Sequence, residues 1–218
     1  MSISCLLLPG AQLTKEIWNP MMPYIPDTWN MCFAEYEHVM IREANCVYDI
    51  SSHMAENLSD TRFDCIIGHS MGGLVALQLV DLFGIKTESM ILIETNLRPA
   101  MPFYRNLLLP QNAEMHEAAV MSVIKSEMPY YSDTLKNSYQ NAFDYTIHLK
   151  RNNTSIHALF GDRGEPGYEK QIDDLNLDVE TQSKLRFHFI KDACHLPMIE
   201  NPCDTAACII SILTAFIT

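Results

Sequence analysis

The hexapeptide Gly68-His69-Ser70-Met71-Gly72-Gly73 most constrains the fold of this 218-residue chain. It follows an apolar run of strand length, Phe63 to Ile67, and precedes Leu74 to Val80, which has the composition of a buried helix. A strand that passes directly into a helix needs a tight turn, with Ser70 at its apex in a strained conformation. Glycines on both sides of the serine avoid Cβ collisions across such a turn. The helix behind Ser70 directs its N-terminal N–H groups at the reaction centre, which suits chemistry that develops negative charge.

Further apolar runs of strand length alternate with helical segments along the chain. This alternation predicts an α/β fold with a mostly parallel central sheet, right-handed crossovers and helices on both faces. The length predicts one domain, residues 1–218, with a substantial core. The other predicted strands are Ile3–Leu8, Met31–Ala34, Met90–Ile93, Ile156–Phe160 and Leu185–Ile190, and the predicted helices outside residues 97–153 include Val47–Leu58 and Thr205–Ile217.

Residues 97–153 interrupt this alternation with four prolines and two helical patterns. The predicted helices span about 112–127 and 133–149, with Asn112 and Asp133 as N-caps. Because the segment lies between two sheet strands, it is expected to rise above the strand ends near Ser70. One interpretation is an extra helical layer on the sheet. The other is a small lid that shapes an apolar acyl pocket, with Leu97, Met115 and Phe143 as substrate contacts.

Three chemically complementary residues follow three different predicted strands in the order Ser70, Asp162, His195. Parallel strands place their carboxyl ends at one edge of a sheet, so these side chains are expected to converge. Serine needs an adjacent base to act as a nucleophile, and His195 is the candidate base. Asp162 is the candidate acid that orients the imidazole. Glu94, which also ends a strand near Ser70, is the alternative acid.

These motifs resemble the α/β-hydrolase superfamily over Ile3–Ile217. The hexapeptide around Ser70 is similar to the nucleophile elbow of that family, Gly161-Asp162 to its acid loop, and His195-Leu196-Pro197-Met198-Ile199-Glu200-Asn201-Pro202 to its histidine loop. The order Ser, Asp, His is that of the α/β-hydrolases and differs from the orders in chymotrypsin and subtilisin. The two-helix insertion resembles that of compact carboxylesterases, including carrier-protein methyl ester esterases.

Two positions depart from the pattern of the family. Pro9-Gly10 stands where many relatives have His-Gly, and Cys194 stands where relatives usually have glycine before the histidine. The resemblance implies an oxyanion hole formed by the backbone N–H groups of Ala11 and Met71, or by that of Gln12 in place of Ala11 if the loop is shifted by one residue. Gln12 and His69 are further expected substrate contacts.

Composition restricts the partners. A formal net charge of −12 argues against nucleic acid and anionic membranes. Apolar runs are too short for a membrane span, and the N-terminal residues lack the basic region of a signal peptide. Seven cysteines without a Cys-x-x-Cys pair are typical of reduced thiols in a cytoplasmic protein. No metal-ligand spacing is present, so neither metal nor organic cofactor is expected.

The sequence therefore predicts a serine hydrolase that cleaves small to medium carboxylic esters, or thioesters, through an acyl-serine intermediate. The expected partner is a small-molecule or carrier-linked acyl ester. Two alternatives remain open at this point: a lyase or synthase that uses the same triad without hydrolysis, and a non-catalytic binding protein on the hydrolase scaffold.

Overall fold

The computed structural model describes residues 2–58 and 61–215. Within these residues the strands are β1 (Ser4–Leu8), β2 (Asn30–Phe33), β3 (Arg62–His69), β4 (Lys86–Ile93), β5 (Ser155–Gly161) and β6 (Leu185–Ile190). The α-helices are α1 (His38–Glu43), α2 (Val47–Leu58), α3 (Met71–Asp81), α4 (Pro110–Glu127), α5 (Asp133–Gln140), α6 (Thr146–Arg151), α7 (Val179–Ser183), α8 (Pro197–Glu200) and α9 (Pro202–Thr214). Four short 3₁₀ segments, Lys15–Tyr24, Pro102–Arg105, Met128–Tyr130 and Asp173–Leu175, lie between them.

The described strands form one parallel sheet in the order β2-β1-β3-β4-β5-β6. The central strands are apolar on both faces because helices cover both sides. On β1, for example, Leu6 and Leu8 face a core that contains residues of α2 and α3, while Cys5 and Leu7 face a core that contains residues of α9 and the 3₁₀ segment Lys15–Tyr24. This arrangement confirms the predicted α/β architecture and places every strand's carboxyl end at one edge.

That carboxyl edge holds an unusual concentration of backbone strain. Five strands are followed, within four residues, by a non-glycine residue in the left-handed region, which L-residues avoid at a cost of roughly 1–3 kcal/mol each. These residues are Gln12 (φ 59°), Ser70 (51°), Glu94 (50°), Arg163 (57°) and Asp192 (52°). Strain of this kind persists only where the surrounding structure holds it, and it concentrates at functional sites.

The segment 97–153 differs from its prediction in detail. The helix expected over 133–149 is two helices, α5 and α6, separated by residues 141–145. Asp144 Oδ1 accepts hydrogen bonds from both Thr146 N and Thr146 Oγ1 and so forms a local turn just before α6. The N-cap of α5 is Ser132 rather than Asp133, and its hydroxyl accepts from Leu135 N. Asn112 is not a cap because α4 already begins at Pro110.

The last helix also differs from its prediction. It begins at Pro202, where the Asn201 side chain accepts a hydrogen bond from Asp204 N, and not at Thr205. Its predicted end at residue 217 lies outside the described residues.

Candidate active site

Ser70 forms the turn between β3 and α3, with φ 51° and ψ −119°. The turn is tight enough that a Cβ on Gly68 would lie 2.5 Å from the carbonyl oxygen of Gly72. A Cβ on Gly72 would lie 2.3 Å from the carbonyl oxygen of Leu8. Both distances are too short for any side chain, so the neighbouring backbone atoms require glycine at these two positions, as expected from the sequence.

Two hydrogen bonds from the following strand hold the strained serine in place. Ser70 N donates to Ile93 O at 2.8 Å, and Thr95 Oγ1 donates to Ser70 O at 3.1 Å. Because these partners belong to β4 and the residues after it, the sheet itself fixes the Ser70 backbone. The Ser70 side chain lines a cavity of about 750 Å³ at the carboxyl edge.

The turn after β1 lies directly against this serine. A Cβ on Gly10 would be 3.2 Å from Ser70 Cβ, and Ala11, Gln12 and Met71 line the same cavity as Ser70. Met71 is the first residue of α3, so its N–H has no acceptor within the helix. The structure thus brings both predicted oxyanion residues, Ala11 and Met71, and the alternative Gln12 to the same cavity.

His195 follows β6 and also lines this cavity. No hydrogen bond joins its ring to the Ser70 hydroxyl among the described residues. Its Nδ1 lies 3.4 Å from Oε2 of Glu94, a side chain with no exposed surface. Apo structures often show long catalytic hydrogen bonds that shorten when substrate binds. The carboxylate that the structure places against the imidazole is therefore that of Glu94.

Asp162 differs from its predicted placement. Its Oδ1 accepts hydrogen bonds from Gly164 N and Asp192 N, both at 2.8 Å, and no described contact joins it to the His195 ring. These bonds tie the turn after β5 to the turn after β6. Asp162 therefore holds these two turns together, and Glu94 is the carboxylate beside the His195 imidazole.

Glu94 is held by a buried network of donors. Oε1 accepts from Gly161 N at 2.6 Å and from Arg163 Nη1 at 2.7 Å, and Oε2 accepts from Arg163 Nη2 at 2.5 Å. Arg163 is itself 6% exposed and stacks over the ring of Tyr104 at 4.5 Å. Burial alone would raise the pKa of Glu94, but the Arg163 guanidinium outweighs it and holds that pKa below its ordinary value. Glu94 is therefore ionised.

His69, predicted as a substrate contact, is fully buried. Its Nε2 lies 2.8 Å from the backbone oxygen of His195, and the two rings meet edge to face with centroids 4.9 Å apart. Burial, with a smaller contribution from His195, lowers the pKa of His69 to about 3. The neutral ring therefore donates from Nε2 to His195 O and supports the histidine backbone. His69 also lines the cavity, so its role as a substrate contact stays a prediction.

The remaining predicted substrate contacts separate into two groups. Gln12 and Phe143 line the cavity. Leu97 is packed in the core, and Met115 points to solvent on α4, 78% exposed, so neither lines it. The cavity is also lined by residues that no local motif marks, among them Asn96, Tyr104, Arg105, Ile124, Tyr139 and Gln140. Only the fold brings these residues together, so sequence patterns could not identify them.

Comparison with known proteins identifies the fold. No family model and no curated protein matches the chain. Among solved structures, a thermophilic esterase from Thermogutta terrifontis is 18% identical, with a TM-score of 0.71 and coverage of 98% of this chain and 90% of that one. A bromoperoxidase from Bacillus anthracis is 12% identical, with a TM-score of 0.79 and coverage of 98% and 92%. The protein has the α/β-hydrolase fold. The fold class predicted from the sequence is confirmed.

A carboxylesterase from Bacillus subtilis gives a similar match, at 17% identity, a TM-score of 0.66 and coverage of 97% and 84%. Two further properties concern the described residues alone. None of the described helices combines the length and apolarity required to cross a bilayer. The same residues contain no cluster of three or more histidine, cysteine, aspartate or glutamate side chains suited to a metal ion.

Glu200 connects the histidine loop to the start of α4. Its Oε1 accepts from Leu109 N at 2.7 Å and Asn112 Nδ2 at 3.1 Å, and its Oε2 accepts from Cys194 N at 2.7 Å. His195 N in turn donates to Leu107 O at 3.2 Å. The residues that precede α4 are therefore fastened to the loop that carries the imidazole.

Glu200→Ala is expected to lower the free energy of unfolding by about 1–3 kcal/mol, because the buried N–H groups of Leu109 and Cys194 lose their acceptor. Urea unfolding measures this change. Glu180→Ala is the matched control, since Glu180 is solvent-exposed and its ion-pair partner in the described chain is Lys150; it should change stability by less than about 0.5 kcal/mol. Equal losses in the two variants would contradict the connecting role of Glu200.

Proposed function

We propose that this protein is a serine hydrolase that cleaves small to medium carboxylic esters through an acyl-Ser70 intermediate. The observation that carries the proposal is the strained Ser70 turn in the same cavity as His195, with the ionised Glu94 carboxylate against the imidazole. These are the parts that acyl transfer requires: a nucleophile, a base and a group that orients the base. The similar esterase structures agree in fold with this proposal.

In the first half of the reaction, Ser70 Oγ attacks the ester carbonyl carbon while His195 Nε2 takes its proton. The carbonyl oxygen becomes an oxyanion, which the N–H groups of Met71 and Ala11 stabilise. The carbon–oxygen bond to the alcohol then breaks, and the alcohol leaves with the proton from His195. Ser70 is left as an ester of the acyl group.

In the second half, a water molecule attacks the acyl carbon and gives its proton to His195. The bond to Ser70 Oγ breaks, Oγ recovers the proton, and the carboxylic acid leaves. Glu94 keeps the Nδ1 proton of the imidazole in place and stabilises the imidazolium in both halves. A thioester would follow the same steps with a thiol as the leaving group.

The segment 97–153 is proposed to act as a lid over this cavity. Ile124 of α4, Tyr139 and Gln140 of α5, and Phe143 contribute to the cavity wall. The wall is therefore partly built by the insertion and partly by the strand ends. Ligand sites commonly form in such concave places where helices meet.

The proposal is tested with a fluorophosphonate probe and a series of p-nitrophenyl acyl esters from acetate upward. The probe should label Ser70, as located by peptide mass, and the native protein should turn over the esters with an optimum chain length. Ser70→Ala is the control and should neither react with the probe nor turn over any ester. A folded native protein that neither reacts nor turns over an ester would refute the proposal.

A further inference from the structure

The cavity contains a cation that the proposed reaction does not use. Arg105 lines the cavity at the end of the 3₁₀ segment Pro102–Arg105, and its side chain is exposed. Among the described residues it forms no ion pair and no hydrogen bond. By contrast, the nearby Arg98 is paired with Asp144 and Asp178 and does not line the cavity.

The other ionised groups of the cavity leave Arg105 without a counter-charge. Glu94 is the one carboxylate among the lining residues of the described chain, and it is neutralised by Arg163. The whole chain has a formal net charge of −12, which repels anions from most of the surface. A cation without a partner is then the feature of the cavity that favours a negatively charged ligand.

Three buried polar atoms of the same lining, His69 Nδ1 among them, have no hydrogen-bond partner in the described part of the chain. Asn96 Oδ1 and the Tyr139 hydroxyl are both buried and make no hydrogen bond among the described residues. Buried polar atoms normally find partners, so each marks a place for a ligand group or a bound water. The Asn96 oxygen accepts a hydrogen bond, whereas the tyrosine hydroxyl either donates or accepts. A purely hydrocarbon acyl chain would satisfy neither atom.

We infer that the substrates are esters with an anionic group, a carboxylate in the simplest case, that binds Arg105 while the ester carbonyl lies at Ser70. This inference rests on the proposed ester hydrolysis and names its substrate class. The planar guanidinium matches the two oxygens of a carboxylate, which a lysine ammonium does not. The specificity of the enzyme then depends on the charge of the substrate and not only on its acyl length.

The test compares esters that differ only in charge. On the acyl side, p-nitrophenyl hydrogen adipate is compared with p-nitrophenyl hexanoate, which has the same number of acyl carbons. On the alcohol side, the acetate ester of 4-hydroxybutyrate is compared with butyl acetate. The native enzyme should show a kcat/KM about 10- to 100-fold higher for the anionic member of at least one pair, and added salt should reduce that ratio. The pair that shows the preference identifies the side of the ester that faces Arg105.

Arg105→Met should bring this ratio close to one, and Arg105→Lys should leave it intermediate. Arg98→Met is the matched control, because Arg98 belongs to the same segment but does not line the cavity. This variant should keep the native ratio. Hydrolysis of neutral esters with no anionic preference in either pair, or a preference that survives Arg105→Met, would overturn the inference while leaving ester hydrolysis intact. No labelling of Ser70 and no turnover of any ester would instead overturn the proposed function and this inference with it.

Discussion

Glu94→Gln is expected to lower kcat for ester hydrolysis by about 10³- to 10⁴-fold, the scale of the equivalent change in serine-protease triads. The amide removes the charge that stabilises the imidazolium and no longer specifies which ring nitrogen holds the proton. The reason for choosing Glu94 is the 3.4 Å separation between its Oε2 and His195 Nδ1. Steady-state kinetics on a p-nitrophenyl ester, with circular dichroism to confirm folding, measures the effect.

Asp162→Asn is the decisive comparison. The asparagine keeps an Oδ1 acceptor for Gly164 N and Asp192 N, so kcat should fall less than tenfold. Glu94→Asp remains informative if the glutamine variant fails to fold. It keeps the negative charge beside Arg163 but moves that charge away from the His195 imidazole. It should fold and still lose most activity. If Asp162→Asn were the more damaging change, Asp162 and not Glu94 would be the orienting acid.

Arg163→Met is expected to lower the free energy of unfolding at neutral pH by about 3–5 kcal/mol, because it leaves the Glu94 charge buried without its counter-ion. Glu94 has no exposed surface and Arg163 is its bidentate partner. The double variant Glu94→Gln/Arg163→Met should recover much of this loss, since it also removes the unpaired negative charge of Glu94. Urea unfolding measures all three proteins. Arg98→Met, which breaks two partly exposed ion pairs, should cost no more than about 1 kcal/mol.

The loss of unfolding free energy in Arg163→Met should depend on pH in one direction. In the native protein the pKa of Glu94 is below its ordinary value of 4.5, so the pair stabilises the fold above that pH and the contribution is lost as the pH falls through the lowered pKa. Without Arg163, burial dominates and raises the pKa of Glu94, so the fold is favoured by protonation. The deficit of Arg163→Met should be greatest at neutral pH and shrink on acidification. A deficit that grows as the pH falls would contradict this account.

The sheet and the positions of Ser70 and His195 at its carboxyl edge could be predicted because they depend on local signals. Apolar runs define the strands, the glycines around Ser70 define the turn, and the chain order places His195 after the last strand. Strand β6 and helix α2 have the predicted bounds, and most other strands differ by a few residues at their ends. The choice between Glu94 and Asp162 could not be predicted, because both follow strands that end at the same edge. The choice depends on the ion pair between Arg163 and Glu94 and on the two backbone N–H groups that donate to Asp162. These contacts form only when the loops come together in the fold.

The interior of the cavity was the least predictable part. An apolar pocket was expected from the helices of residues 97–153, whereas the structure also places Asn96, Arg105 and Gln140 in the wall. Helical periodicity indicates that a side of a helix is apolar but not which neighbour it meets. Met115 illustrates the point, since it belongs to the apolar pattern of α4 yet faces solvent.

The five residues with positive φ at the carboxyl edge have a consequence for engineering. Each holds a backbone shape that glycine would adopt more cheaply, and Ser70, Glu94 and Arg163 are among them. At Glu94 and Arg163 the buried ion pair outweighs this backbone strain, so replacement would destabilise the fold. At Ser70 no such pair offsets the strain, so stability and turnover are opposed there. Selection for heat resistance alone would favour the loss of the Ser70 hydroxyl while the sheet beneath it survived. Screening for thermal resistance and turnover together avoids that outcome.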